Sequence, residues 1–188
     1  MYSSSTLRER LRLAIIFDQD QSSGGGYNYI LNIVHTLINS KAHYFDCDVL
    51  VFKASHQSQL LSLGIHSILV NRSFLHILFV RLFLLIKSYP RLIGLCDFLG
   101  FCTPLERVLR KLETDAVYFP SPSLYAHQIS RYPFIFTIWD LCHRDHPEFP
   151  EVGKYSEFHA REHLYKTIGP RASAIITESS LCKRNISL

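Results

Sequence analysis

Apolar residues along the chain fall into short, nearly unbroken runs separated by stretches of helical spacing. Leu11 to Phe17 (LRLAIIF), Cys47 to Phe52, Ser67 to Val70, Asp115 to Phe119, Phe134 to Trp139 (FIFTIW) and Ala172 to Thr177 (ASAIIT) form the runs. Branched and aromatic residues dominate them, as in parallel strands buried on both faces. After the first run, Tyr27, Ile30, Leu31, Val34, Leu37 and Ile38 recur at spacings of three and four, which predicts a helix opening on a glycine loop. Further helices are expected at His56 to Leu63, at Phe74 to Ser88 with Pro90 as its stop, and at Lys154 to Ile168. Another is expected at Pro104 to Leu112, where Thr103 can cap and proline holds the first helical position. Glu178, Ser179 and Ser180 read as the cap of a last helix.

Six strands alternating with helices predict an α/β fold, an open parallel sheet of about six strands with helices on both faces. Ligands of such sheets bind beyond the carboxyl ends of the strands. The glycine loop, Pro120 to Ser123, Trp139 to Pro150 and Glu178 to Ser180 are then expected to converge on one crevice.

Composition narrows the class. A length of 188 residues and a hydrophobic content of 47% suit one domain with a packed core, residues 1–188. Charged residues at 19% and the lack of low-complexity tracts exclude a disordered chain or a coiled-coil array. The net charge of +4 is spread along the chain, so no nucleic-acid footprint is expected. The 5 cysteines are odd in number and form no CxxC pair, which reads as free thiols in a reducing, cytoplasmic compartment. Ala14 to Phe17 is far shorter than a signal core and ends on Asp18, so no secretory leader is expected and the sequons at Asn71 and Asn185 carry no weight. Phe74 to Ile86 is interrupted by His76 and Arg81 and is too short for the roughly 20 residues of a spanning helix. It reads either as a covered core helix or as one resting on a bilayer surface, with Arg72, His76, Arg81 and Lys87 supplying cations for anionic lipid.

Three motifs carry candidate chemistry. Ser22-Ser23-Gly24-Gly25-Gly26 before a helix offers backbone amides and a positive dipole end to a phosphate, or is simply a flexible strand-to-helix turn; it is neither GxGxxG nor a P-loop. Asp140, His143, Asp145, His146 and Glu148 gather carboxylates and imidazoles just past a strand end. They suit substrate contact, a hydrogen-bonded loop or, least well for want of a zinc spacing, a metal. His159-Ala-Arg-Glu162-His163 has the HxxEH form of one class of zinc peptidases, with a solvated helix face as the simpler account.

The glycine loop followed by Tyr27, the block FTIWDLCHRDHPEFPEV and the block ASAIITESSLCKRNI together resemble the N-terminal, Rossmann-like domain of group 1 (family 4) glycosyltransferases of the GT-B fold. The resemblance covers nearly the whole chain and is most specific at Thr137 to Pro150. It implies metal-independent, retaining transfer of a sugar from a nucleotide-diphosphate sugar, used as co-substrate with no other cofactor, to a glycan or a carbohydrate or lipid-linked acceptor, as in polysaccharide biosynthesis. It also implies roles: Gly24, Gly25 and Gly26 facing the donor phosphates, Asp140 and His143 as catalytic residues lining the acceptor pocket, and Ser23, Tyr27, Trp139 and Glu178 as further substrate contacts. Trp139 stands where many members have a histidine directly before the aspartate. The family's C-terminal donor domain has no counterpart in these 188 residues. The chain alone is therefore expected to be inactive, and to lie in the cytoplasm or peripherally at the inner membrane face through Phe74 to Ile86. A stand-alone nucleotide- or phosphate-binding module is the competing, non-enzymatic reading.

Overall fold

The first strand, β1 (Leu11–Phe17), is apolar on both sides, and that places it at the centre of the sheet. Ala14, Ile15, Ile16 and Phe17 are fully buried. Ala14 and Ile16 enter one core cluster and Ile15 and Phe17 the other, as the two-residue alternation of a strand requires. The computed structural model describes residues 10–39, 45–71, 102–146, 148 and 155–186. Its sheet has six parallel strands in the order β3-β2-β1-β4-β5-β6, the others being β2 (Phe45–Val51), β3 (Ile68–Leu69), β4 (Ala116–Phe119), β5 (Phe134–Ile138) and β6 (Ala174–Thr177). The α/β class expected from the apolar runs, an open parallel sheet with helices on both faces, is thus observed, and it is Rossmann-like.

Helices cover both faces. On one, α1 (Gly25–Asn39) and α2 (Ala54–Ser62) bring Tyr27, Ile30, Val34 and Leu60 onto Ile15, Phe17, Val49 and Val51. On the other, α3 (Pro104–Lys111) and α5 (Tyr155–Ile168) set Leu105, Leu109, Leu164 and Ile168 against Ala14, Ile16, Phe119 and Phe136. A single turn, α4 (Cys142–Asp145), and a short helix, α6 (Ser180–Asn185), are the other α-helices among the described residues. Ser179 caps α6, accepting from the Cys182 amide at 3.0 Å.

Boundaries moved where local hydrogen bonds compete with the ladder. Asp115 lies outside β4 because its carboxylate accepts from the Arg12 amide at 2.7 Å while its own amide donates to the Arg12 carbonyl. Ala172 donates back to the carbonyls of Ile168 and Gly169, closing a turn after α5, so β6 begins at Ala174. The turn Leu124–Gln128 was not foreseen; the Ser123 hydroxyl opens it by accepting from the Tyr125 amide. The expected helix at Phe74 to Ser88, and with it the membrane contact through Phe74 to Ile86, lies outside the described residues. No helix among the described residues is long and apolar enough to cross a membrane.

Thr103 does cap α3. Its buried Oγ1 accepts from the Glu106 amide at 3.1 Å and donates to the Gln128 carbonyl at 3.0 Å, tying the helix start to the turn before β5. Thr103→Ala is expected to cost about 1–2 kcal/mol in urea unfolding, and Thr103→Ser to restore most of it.

Candidate functional site at the carboxyl edge of the sheet

The strand order reverses between β1 and β4, and a crevice opens beyond their carboxyl ends at such a point. Three segments meet there. The first runs from Asp18 to Gly26. Asp20 receives Lys53 Nζ at 2.7 and 2.5 Å on its two oxygens and lies 2.8 Å from His56 Nε2. The Lys53 bond, then the His56 bond, hold the Asp20 carboxyl below its ordinary range. Burial pushes the Asp18 carboxyl up instead, against the opposing hydroxyls of Ser123 and Ser121. Gln21–Ser23 forms one 3-10 turn, and Gly24, at φ +58°, leads it into α1 in a conformation that only glycine adopts without strain.

The second segment is Pro120 to Leu124. Ser121 and Ser123 are buried, and Ser121 Oγ donates to Asp18 Oδ1 at 2.7 Å. The third is Trp139 with Asp140. The indole Nε1 donates to the Pro120 carbonyl at 2.9 Å, the ring meets Tyr29 edge-on at 6.0 Å, and it lies over Gly26. A Cβ on Gly26 would stand 2.7 Å from Trp139 Cη2, whereas one on Gly25 would meet nothing within 4 Å. The indole therefore explains Gly26, and the backbone open to an incoming group is at Gly24 and Gly25.

Beside the indole lies a cleft of about 250 Å³, walled by Trp139, Pro122, Leu124, Leu164 and Tyr165 with Gln19, Asp140 and Arg161 as its polar groups. Asp140 Oδ1 accepts from the Cys142 amide at 2.9 Å and from Arg161 Nη1 at 3.2 Å. Burial pushes the Tyr165 hydroxyl well above its ordinary range, so it stays protonated.

The expected site residues separate accordingly. Trp139 and Asp140 line the cleft, and Gly26 seats the indole from behind. Ser23, Gly24 and Gly25 are exposed on the loop next to it, and Glu178 is exposed at the end of β6. Tyr27 and His143 lie in the interior. The Tyr27 ring packs edge-on against Phe17 at 5.5 Å. His143 is 0% exposed, with Nε2 2.9 Å from Glu162 Oε1. The HxxEH run is split by the same pairing. Glu162 takes His143, Arg144 and Lys166, while His163 stacks with His127. Among the described residues, no three His, Cys, Asp or Glu side chains are placed to hold a metal ion. Arg161, Leu124 and Tyr165 were missed by sequence reasoning. Arg161 alone had a signal, being a cation on the helix that follows the acidic loop.

Fold and cleft define a Rossmann-like domain with a cleft at the carboxyl edge of its sheet. No family model matches the chain, and no curated protein does.

Proposed function

We propose that the chain is the acceptor-side domain of a retaining, metal-independent glycosyltransferase using a nucleotide-diphosphate sugar. The cleft beside Trp139 carries the reading. An indole face next to a carboxylate–guanidinium pair is suited to a sugar: apolar C–H groups lie on the ring, and hydroxyls exchange hydrogen bonds with Asp140 and Arg161. Its volume of about 250 Å³ falls below the roughly 300–1,000 Å³ of pockets that enclose drug-sized ligands. One pyranose ring fits that space better than a whole nucleotide. Asp140 orients the acceptor hydroxyl in this reading, and Gly24 and Gly25 leave the start of α1 open to the donor diphosphate. His143, enclosed by the core and held by Glu162, supports the Asp140 loop from behind. Stabilisation of the leaving diphosphate falls to a partner domain. The second reading, a nucleotide- or phosphate-binding module, is favoured by the open space at Gly25.

Trp139 is the sole tryptophan, so its emission reports on the cleft alone. Titration with hexoses and short glycosides is expected to change that emission at roughly millimolar concentrations, as for weak single-ring ligands, and Arg161→Ala to abolish the change. A response to UDP and GDP but to no sugar would favour the binding module. Silence toward both would sink the proposal, and so would sugar transfer at about 1 per second by these 188 residues alone. In a reconstituted two-domain enzyme, Gly25→Val is expected to abolish transfer while the melting temperature barely moves, because the added side chain enters open space.

A further inference from the structure

The cleft wall alternates between residues that face the cleft and residues that turn away from it. Gln19, Pro122 and Leu124 line the cleft, while their neighbours Asp18, Ser121 and Ser123 turn inward and bond to one another. We propose that Asp18 is the positioning residue of the site, a carboxylate that staples the loop after β1 to the loop after β4 and so sets the Trp139 wall. The two loops are 103 residues apart along the chain, and the hydroxyl of Ser121 crosses that distance at 2.7 Å. Ser121 and Ser123 are 0% and 1% exposed, so each hydroxyl depends on an internal acceptor for its proton. Asp18 is the side chain placed to accept both.

The consequence reaches the indole through one residue. Pro120, next to Ser121, offers the carbonyl that receives Trp139 Nε1. Releasing Ser121 frees that carbonyl, and the ring loses its only polar anchor among the described contacts. Ser123 acts on the other side, since its oxygen also receives the Tyr125 amide and so fixes the turn that carries Leu124 to the rim. Asp20 is secured separately by Lys53 and His56, so the far end of the first loop stays in place when Asp18 is replaced. Asp18 acts through these neighbours whichever ligand the cleft takes.

The test needs no ligand and does not depend on the sugar reading. The emission maximum of Trp139 and its quenching by acrylamide are measured for the wild type, Asp18→Leu, Asp18→Asn and Ser121→Ala, with melting temperatures in parallel. Asp18→Leu is expected to shift the emission to longer wavelength and raise quenching, and Ser121→Ala to move both part of the way. Asp18→Asn, which keeps a carbonyl oxygen for Ser121, is expected to stay near the wild type. A change in melting temperature with the indole signals unmoved would reduce Asp18 to a structural residue and overturn the proposal. An asparagine variant displaced as far as the leucine one would also overturn it. Should Asp18→Leu fail to fold, wild-type emission and quenching in both Ser121→Ala and Ser123→Ala would do so as well.

Discussion

Replacing Glu162 with alanine is expected to destabilise the fold by about 3 kcal/mol, the scale for removing one partner of a buried charged network. Glu162 is 9% exposed and stands between three donors. Arg144 reaches both of its oxygens, His143 Nε2 lies at 2.9 Å and Lys166 Nζ at 3.0 Å. Without the carboxylate, a fully buried imidazole and a partly buried guanidinium lose their acceptor. Lys166 is exposed and one turn along the same helix, so Lys166→Ala is expected to cost only a few tenths of a kcal/mol. The Arg144 bond, with those of Lys166 and His143, lowers the Glu162 pKa from 4.5 to about 2. A carboxyl with a depressed folded pKa contributes stability in full above its unfolded value, and that contribution fades as pH falls through the folded one. Thermal melts should therefore show wild type losing an increment between about pH 4.5 and about pH 2 that Glu162→Gln lacks. Parallel pH curves for the two proteins would contradict the pairing.

A side chain at Gly26 is the second large perturbation. The alanine Cβ would sit 2.7 Å from Cη2 and 3.0 Å from Cζ3 of Trp139, closer than packed carbons approach. The indole cannot simply withdraw, being tied to the Pro120 carbonyl and set against Tyr29. Overpacking of this kind costs roughly 1–3 kcal/mol, and Gly26→Val is expected at the upper end, with Trp139 emission shifted to longer wavelength. The neighbouring glycines behave differently for separate reasons. Gly25→Ala enters open space at a helix start and should be neutral or slightly stabilising. Gly24→Ala, at φ +58° and ψ −106°, carries a backbone cost of roughly 1–3 kcal/mol without any clash. Urea unfolding of the three single variants separates packing, open space and backbone strain within one tripeptide.

Much of the fold was legible because its signals are local. The run LRLAIIF needs cover on both faces, and only a central strand supplies it, as β1 does. The three-and-four spacing after the glycine loop places Ile30 and Val34 on one face, and both are buried in α1. Thr103 followed by proline marks the start of α3 from chemistry within one turn. Differences fall at element ends, as at Asp115 and Ala172, where a bond to another segment or a turn outcompetes the ladder, and in short turns within loops, Leu124–Gln128 and Cys142–Asp145, which carry no periodicity to read.

The site was less legible. Trp139 and Asp140 follow a strand, so their place at the carboxyl edge could be read, but their neighbours could not. The face that Trp139 presents was undecided by alternation, since FIFTI is apolar on both sides. The structure gives it two tasks, packing over Gly26 and walling the cleft. His143 and Glu162 looked like reactive groups in sequence because imidazole and carboxylate are the residues of catalysis. They bond across 19 positions to each other and lie in the interior.

By itself, then, the sequence determined the class of the fold, the order and type of most elements, and the edge where the strand-end loops gather, since periodicity and capping act over a few residues. Only the tertiary structure decided which polar groups face that edge and which neutralise one another inside. Asp18 with Ser121, Asp20 with His56 and Trp139 with Gly26 are partners brought together by strand order, and the separation of such partners along the chain leaves no local pattern to read.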